Sequence, residues 1–246
     1  MNLVFDFGNT TQKMAVLAPG RVVDVVKKNS IEIEDIEVFL KKYKIKQAIL
    51  SSVVNETAEI ADFLTKRISL LNFSAQTAVP IQNEYKTPDT LGSDRLACAV
   101  AAASLFPKSA VLVLQMGTCI TSDFITESGI YKGGSISPGL EMRLKSLHHF
   151  SAKLPLVAYK DIHFLTGTTT EESILAGIIY GIEDEINGLI ARYRKAYPCL
   201  KIILTGGDAK LFENRIENDI FAIEHLVLIG LNEILNYHVE NQNNKL

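Results

Sequence analysis

The chain opens with a strand and a turn, Leu3-Val4-Phe5-Asp6-Phe7-Gly8-Asn9-Thr10, on which the interpretation of the rest depends. Apolar, β-prone residues that end in Gly and Asn predict a buried strand running into a tight hairpin, with the return strand at Gln12–Leu17. A carboxylate inside such a strand needs a partner or a metal. Gly8 lets another group approach the backbone, and Thr10 offers a hydroxyl and an amide at the bend. The segment therefore predicts a cradle for phosphate and Mg²⁺.

Two interpretations of Asp6 stay open at this point. Its carboxylate could meet a Mg²⁺–phosphate group, directly or through water, or it could cap the turn by accepting the amides of Gly8 or Asn9, as Asp often does. Lys13, on the return strand, could neutralise phosphate charge or be an ordinary solvated lysine.

Composition excludes several classes of function. The chain has 246 residues, 47% of them hydrophobic, which is enough for two domains or one large one with a proper core. A net charge of −3 gives a nucleic-acid partner no electrostatic support. Three widely spaced cysteines indicate a reducing cytoplasm, the N-terminus lacks the pattern of a signal peptide, and no apolar run approaches a membrane span. We therefore expect a cytoplasmic protein with no nucleic-acid or membrane partner.

A second hairpin resembles the first. Leu114-Gln115-Met116-Gly117-Thr118 repeats the order of apolar strand, polar residue, Gly and Thr, and strand and helix order repeat around it. We predict two similar α/β halves, residues 1–108 and 109–246, with two phosphate-binding turns facing each other across a cleft. The predicted elements are strands Val22–Val26, Ala48–Val54, Val111–Leu114, Ile120–Ile125 and Ile202–Leu204, a glycine-rich loop Gly133–Gly139, and helices Glu32–Tyr43, Asn55–Ile68, Leu96–Leu105, Leu140–Leu147, Glu171–Tyr197 and His225–Tyr237.

Three further motifs each have a chemical and a structural interpretation. Gly206-Gly207 follows a buried strand and permits an adenine ring or ribose to lie on bare backbone, or it is only a strand-to-helix turn. Asp94 beside Arg95 opens a helix, where an acid is most often a cap. The same pair could be a general base beside a guanidinium that binds an anionic substrate. Thr169 and Glu172 have capping-box spacing, which explains their segment without any chemistry.

Together these motifs resemble the type III pantothenate kinases of the acetate kinase, sugar kinase, heat-shock-70 and actin superfamily. The resemblance spans the whole chain, and it depends on the order and spacing of the motifs more than on any one of them. It rests on Asp6-Phe7-Gly8-Asn9-Thr10 with Lys13, Tyr85, Gly92-Ser93-Asp94-Arg95, Gly117-Thr118, Gly133-Gly134 to Pro138-Gly139, Thr170 with Gly177, and Thr205-Gly206-Gly207.

The resemblance implies two ribonuclease-H-like domains with mixed sheets flanked by helices, ATP between them, and a homodimer. It implies transfer of the ATP γ-phosphate to the terminal hydroxyl of pantothenate, the first step of coenzyme A synthesis, with Asp94 as proton acceptor. Residues implied to bind ATP and Mg²⁺ are Asp6, Gly8, Asn9, Thr10, Lys13, Gly117, Thr118, Gly206 and Gly207. Residues implied to bind pantothenate are Tyr85, Gly92, Ser93, Asp94, Arg95 for the carboxylate, and Thr170 from the second subunit.

One position departs from the family pattern. The second phosphate motif of the family opens with an aspartate that ligates a monovalent cation, K⁺ or NH₄⁺, and this chain has Gln115 there. An amide oxygen coordinates a cation without bringing a negative charge, so weaker cation binding, no cation dependence, or lost activity is expected. Two alternative functions follow: a kinase for another small hydroxylated acid, and a catalytically weak nucleotide-binding or regulatory protein.

Overall fold

The computed structural model describes residues 1–8, 11–52, 57–217 and 219–243. They form two compact units, the first made of Met1–Pro107, Gly129–Tyr131 and His225–Leu246, the second of Lys108–Ser128 and Lys132–Glu224. Strands are β1 Asn2–Phe7, β2 Gln12–Ala18, β3 Arg21–Lys28, β4 Gln47–Ser52, β5 Ser69–Asn72, β6 Gln82–Asn83, β7 Val111–Met116, β8 Cys119–Ile125, β9 Ile130–Pro138, β10 Lys201–Thr205 and β11 Phe221–Ala222. Helices are α1 Ile33–Lys42, α2 Ala58–Thr65, α3 Ser93–Leu105, α4 Leu140–Phe150, α5 Thr170–Ala196, α6 Ala209–Phe212 and α7 Leu226–Asn243.

The first unit is built on a five-stranded sheet of order β3-β2-β1-β4-β5. The predicted hairpin is confirmed, since β1 pairs with β2 in antiparallel fashion and with β4 in parallel. β1 lies at the centre of this sheet, which explains why it is apolar almost throughout. A strand that has neighbours on both sides and helices on its faces meets little water. The register sets Asp6 opposite Lys13 on one side and Ser51 on the other.

Two helices of the first unit approach each other closely. A Cβ added to Gly230 of α7 would lie 1.8 Å from the carbonyl oxygen of Ala97 in α3, so only glycine permits this crossing. Residues 95–102 of α3 are all buried. The start of α3, which carries Asp94 and Arg95, is therefore held on a well-packed helix.

The second unit repeats the first sheet. The sheet that contains its strands has six, in the order β6-β9-β8-β7-β10-β11, with β7 and β8 antiparallel and β10 parallel to both β7 and β11. Counted in each sheet from its own hairpin and without β6, both orders read 3-2-1-4-5. The duplicated architecture inferred from two Gly-Thr hairpins is present in the topology.

The long helix α5 supplies much of the second core. Its apolar stripe, including Ile174, Ile182 and Ile190, is at most 6% exposed and packs with β7, β10 and α4 residues. The stripe is consumed inside its own unit because a mixed sheet needs a helix to cover its face.

The glycine-rich segment 133–139 is also not the predicted loop. It is strand through Pro138, and a Cβ on Gly134 would lie 1.7 Å from the carbonyl oxygen of Ser122 in β8. Glycine is therefore needed for close strand contact and not for a loop. The short strands β5, β6 and β11 escaped prediction, and Asn55, the predicted cap before α2, lies outside the described residues.

The residues of the two units differ from the predicted halves. The predicted half 109–246 includes α7, whereas α7 packs in the first unit with α3 and β1. Gly129–Tyr131 also belong to the first unit, where Ile130 and Tyr131 pair in parallel with β6.

Of the helices in the described ranges, none combines the length and the apolar character needed to cross a membrane.

Candidate active site

The turn after β1 shows what the Asp6 carboxylate contacts. Asp6 lies 3.6 Å from the Lys13 ammonium, with its side chain 16% exposed. The Gly8 amide donates to the Thr11 carbonyl oxygen at 3.1 Å. That amide is thus used by the turn itself, so the alternative in which Asp6 caps the turn through Gly8 is not adopted. Asn9 and Thr10, both predicted phosphate contacts, lie outside the described residues.

The electrostatics of Asp6 favour a bound cation. Burial raises the pKa of Asp6 above its ordinary value of 3.8; Lys13 opposes this shift, and the negative charge of Asp94 adds to it. The two acids therefore feel each other's charge in a poorly solvated place. A divalent cation beside Asp6 would relieve that repulsion, so the residues present fit Mg²⁺.

The start of α3 holds Asp94. Gly92 is the N-cap residue, and the Asp94 Oδ1 accepts a hydrogen bond from the Arg95 amide at 2.9 Å. Part of the capping interpretation is thus correct, since this carboxylate does accept an amide of the first helical turn. A Cβ on Gly92 would lie 2.6 Å from the Asp94 Oδ1, so glycine leaves the carboxylate its position.

Ser51 is a site residue that sequence reasoning missed. It lies beside Asp6 in the register of β1 and β4, is 1% exposed, and donates a hydrogen bond to the Ser93 hydroxyl at 2.9 Å. This bond connects the strand next to Asp6 to the helix start that carries Asp94. Because the connection is made by strand register and helix packing, no local pattern in the sequence indicates it.

Arg95 and Tyr85, two residues predicted to bind substrate, lie next to each other. The Arg95 side chain is 5% exposed, and its guanidinium carbon lies 5.6 Å from the centre of the Tyr85 ring. Thus the first unit brings together most of the predicted residues that it contains: Asp6, Lys13, Tyr85, Gly92, Ser93, Asp94 and Arg95.

The second unit assembles its own glycine-rich turn. The Gly117 amide donates to the Cys119 carbonyl oxygen at 3.0 Å, and Gln115 pairs with Thr121 in the β7–β8 register. Gly206, at φ +101°, packs so closely that a Cβ would lie 2.1 Å from the Met116 carbonyl oxygen. The two predicted ATP motifs of this unit are therefore adjacent.

Gly117 and Gly207 have a different reason to be glycine. A Cβ at either position would meet nothing within 4 Å, and neither has a positive φ. Packing inside the unit does not require glycine at these two places. Bare backbone there leaves room for a ligand to approach.

Thr170 is exposed at the start of α5. The predicted capping box is confirmed, because Thr169 accepts from the Glu172 amide and the Glu172 carboxylate accepts from the Thr169 amide. Thr170 borders a groove of about 560 Å³ between α4 and α5, all within the second unit. The groove is lined by Arg143, Ser146, Leu147, Leu154, Thr170, Ser173, Ile174, Gly177 and Ile178.

The described residues were compared with the ligand sets that hold a metal ion through side chains alone. Within the described ranges, no three His, Cys, Asp or Glu side chains come together as a metal site would need. A cation at Asp6 would then take its other ligands from phosphate and water, which is the usual arrangement for Mg²⁺.

Comparison with solved structures identifies the fold. A conserved protein from Campylobacter jejuni, assigned to the Baf family of transcriptional activators, matches with a TM-score of 0.59 at 21% identity, over 97% of this chain and 99% of that one. A protein from Porphyromonas gingivalis, assigned as an N-acetylglucosamine kinase, matches with a TM-score of 0.54 at 12% identity, over 97% and 100%. These likenesses confirm the predicted α/β class, with two mixed sheets flanked by helices.

Comparison at the level of sequence is more specific. A protein of Christiangramia forsetii named type III pantothenate kinase is 46% identical over 242 residues, which cover 97% of this chain and 99% of the relative. The family model of the type III pantothenate kinases matches residues 2–192. The chain belongs to the type III pantothenate kinase family.

Proposed function

We propose that the protein transfers the γ-phosphate of ATP to the terminal hydroxyl of pantothenate, which forms 4′-phosphopantothenate in the first step of coenzyme A biosynthesis. The observation that carries the proposal is the arrangement at the start of α3. There the Asp94 carboxylate lies next to the buried Arg95 and close enough to Asp6 to raise its pKa. The first unit thus contains a carboxylate, a guanidinium and a second carboxylate, which would serve as proton acceptor, anion-binding group and ligand on the phosphate side.

Asp94 would act as the proton acceptor. The hydroxyl oxygen of pantothenate attacks the γ-phosphorus, the bond from that phosphorus to the β,γ-bridging oxygen breaks, ADP leaves, and the hydroxyl proton passes to Asp94. The Arg95 amide donates to the Asp94 Oδ1 at 2.9 Å, which helps to fix the direction of the carboxylate. Most of the rate enhancement would come from alignment and charge neutralisation.

In the first unit, ATP phosphates would be bound at the turn after β1. Lys13 supplies a positive charge beside Asp6, and Gly8, Asn9 and Thr10 supply backbone at the first turn. Asp6 would hold Mg²⁺, which would supply charge neutralisation at the phosphates. In the second unit, Gly117 and Gly207 would offer open backbone to the nucleotide, and Thr118 and Gly206 are proposed contacts beside them.

Pantothenate would be held by the helix start and its aromatic neighbour. Arg95 presents a planar fork suited to a carboxylate. Gly92 and Ser93 line the approach to Asp94, and the Tyr85 ring borders Arg95. Action in the cytoplasm, where ATP is available, is part of this proposal.

A homodimer is proposed with Thr170 reaching the substrate of the second copy. Support comes from large apolar side chains that are exposed on α4 and on the segment that follows it, of which Leu147 also lines the α4–α5 groove. Their exposures are 40% for Met142, 37% for Leu147, 84% for Phe150, 57% for Leu156 and 78% for Leu165. Exposed apolar side chains in such number are typical of a protein interface.

Analytical ultracentrifugation tests the dimer. Phe150→Asp should sediment as a monomer with lower activity, whereas Val38→Asp, at a 58% exposed position of the first unit, should remain dimeric. A wild-type monomer that retains full activity would rule out the second subunit's part in the site.

The central test is mass-spectrometric detection of phosphopantothenate from purified protein, ATP, Mg²⁺ and pantothenate. A panel of small hydroxylated acids in the same assay separates pantothenate from another acceptor. Calorimetric ATP binding with no phosphoryl transfer to any acceptor would support the regulatory alternative and overturn the proposal.

A further inference from the structure

An aromatic stack lies beside the substrate-binding arginine in the first unit. The rings of Tyr85 and Tyr131 are stacked, with centres 6.2 Å apart and planes 27° apart. Arg95 lies against the Tyr85 ring at 5.6 Å. We call Tyr131, Tyr85 and Arg95 the ring stack. Tyr131 comes from β9, far along the chain from the other two, and no motif identified in the sequence includes it.

Tyr131 is the fixed end of the ring stack. Its side chain is 0% exposed and is among the largest fully buried side chains. Its carbonyl oxygen accepts the Glu84 amide at 3.0 Å, and its strand pairs with β6 immediately before Tyr85. The backbone that carries Tyr85 is thus attached to the backbone that carries Tyr131. The Asn83 side chain adds a bond to the Tyr85 amide at 2.9 Å.

Arg95 is the end that meets substrate in the proposed function. A guanidinium binds a carboxylate through two parallel hydrogen bonds, so the strength of this binding depends on the direction in which the guanidinium plane points. An aromatic face beside a buried guanidinium favours one orientation through cation–π attraction. A ring that is itself backed by a second, immobile ring fixes that orientation more firmly than a ring facing water.

We propose that Tyr131 is a positioning residue that acts through Tyr85 to orient Arg95, and so sets the preference for an acceptor that carries a carboxylate. This inference rests on the proposed function and deepens it. A positioning role and a purely structural role of Tyr131 predict different losses of activity with different substrates. Loss of core packing would weaken every substrate alike, whereas loss of orientation at Arg95 weakens only the carboxylate-bearing one.

The experiment compares pantothenate with pantothenol, in which a CH₂OH group replaces the carboxylate. Tyr131→Leu should lower kcat/KM for pantothenate about tenfold, mainly through KM, and change the value for pantothenol less than about twofold. Tyr131→Phe, which keeps the ring, should retain the wild-type preference. In the Arg95→Lys background, Tyr131→Leu should have little further effect, because both changes act on the same contact.

Tyr85→Leu provides a second route, since Tyr85 is only partly buried and its removal breaks the middle of the ring stack. It should lower the preference for pantothenate even where Tyr131→Leu does not fold. Calorimetric binding of the two ligands measures the preference without turnover. If wild-type protein shows no transfer, the proposed function fails and the binding preference still decides the role of Tyr131. Equal losses for both ligands, or an unchanged preference in both Leu variants, would overturn the inference.

Discussion

The ends of β1 and β7 hold equivalent positions in two sheets of the same strand order, yet only the first carries a charge. Asp6 pairs with Lys13 on one side and Ser51 on the other. Gln115 pairs with Thr121 and Thr205 at the corresponding places. The first unit thus presents a carboxylate, an ammonium group and a hydroxyl, and the second unit presents an amide and two hydroxyls. The duplication preserved the hairpin backbone and left the charge on one side.

This difference indicates separate functions for the two turns. A buried acid that feels a second acid, as Asp6 feels Asp94, is costly for folding and suited to a divalent cation. A neutral turn with open glycine backbone is suited to nucleotide contacts that need no metal of their own. The following predictions test this division, from the largest expected effect to the smallest.

Asp94→Asn tests whether the charged unit also contains the proton acceptor. An amide of the same shape cannot accept the hydroxyl proton, so kcat should fall roughly 10²- to 10⁴-fold. The affinity for ATP, measured by calorimetry, should change little because Asp94 faces the acceptor in the proposed mechanism. Near-normal turnover would remove Asp94 from its role.

Asp6→Asn makes the first turn as neutral as the second. Activity with Mg²⁺-ATP should fall roughly a hundredfold, because the phosphate-side charge is lost. By contrast, the free energy of unfolding of Asp6→Asn without nucleotide should be higher than that of the wild type. Since burial raises the pKa of Asp6, the folded wild type favours the protonated form and loses this contribution as pH rises through the raised pKa.

Urea unfolding without nucleotide at pH 4, 5.5 and 7 measures that second effect. The free energy of unfolding of Asp6→Asn should exceed that of the wild type by an amount that grows with pH from about the ordinary value of 3.8 upward. A variant that is less stable than wild type at pH 7 would show that Asp6 stabilises the fold, contrary to the burial argument.

Gly92→Ala moves the Asp94 carboxylate without changing its chemistry. The new methyl group would lie 2.6 Å from Oδ1, so the carboxylate must shift, and kcat should fall about ten- to a hundredfold with little loss of stability. Gly188→Ala is the matched control, since Gly188 is an exposed position of α5 where a methyl group meets nothing within 4 Å. Equal kinetics for the two variants would mean that the carboxylate position is not critical.

Gln115→Asp gives the second turn the charge that the family pattern places there. The K⁺ concentration for half-maximal activity should fall about fivefold, as expected for one added charge near a cation. Titration of KCl against choline chloride at constant ionic strength measures it. Tight K⁺ activation already present in the wild type would show that the amide serves as well as an acid.

Much of this architecture is readable from local patterns. Apolar runs ended by Gly, Asn or Thr placed β1, β2, β7, β8 and β10, and helical spacing placed α1 and α5. The short edge strands β5 and β11 were missed because two to four residues carry little periodicity. The segment 133–139 was misread because glycine at a close strand contact looks like glycine in a loop.

By itself, the sequence determined the elements, the repeated hairpin and the chemical types at the site, because turn glycines, capping residues and apolar periodicity act within a few residues. Only the tertiary structure decided which distant residues meet. Strand register set Ser51 beside Asp6, packing of α3 set Asp94 within reach of the same acid, and the path of β9 set Tyr131 behind Tyr85. These contacts join residues that lie tens of positions apart, and local preference cannot select among such pairings.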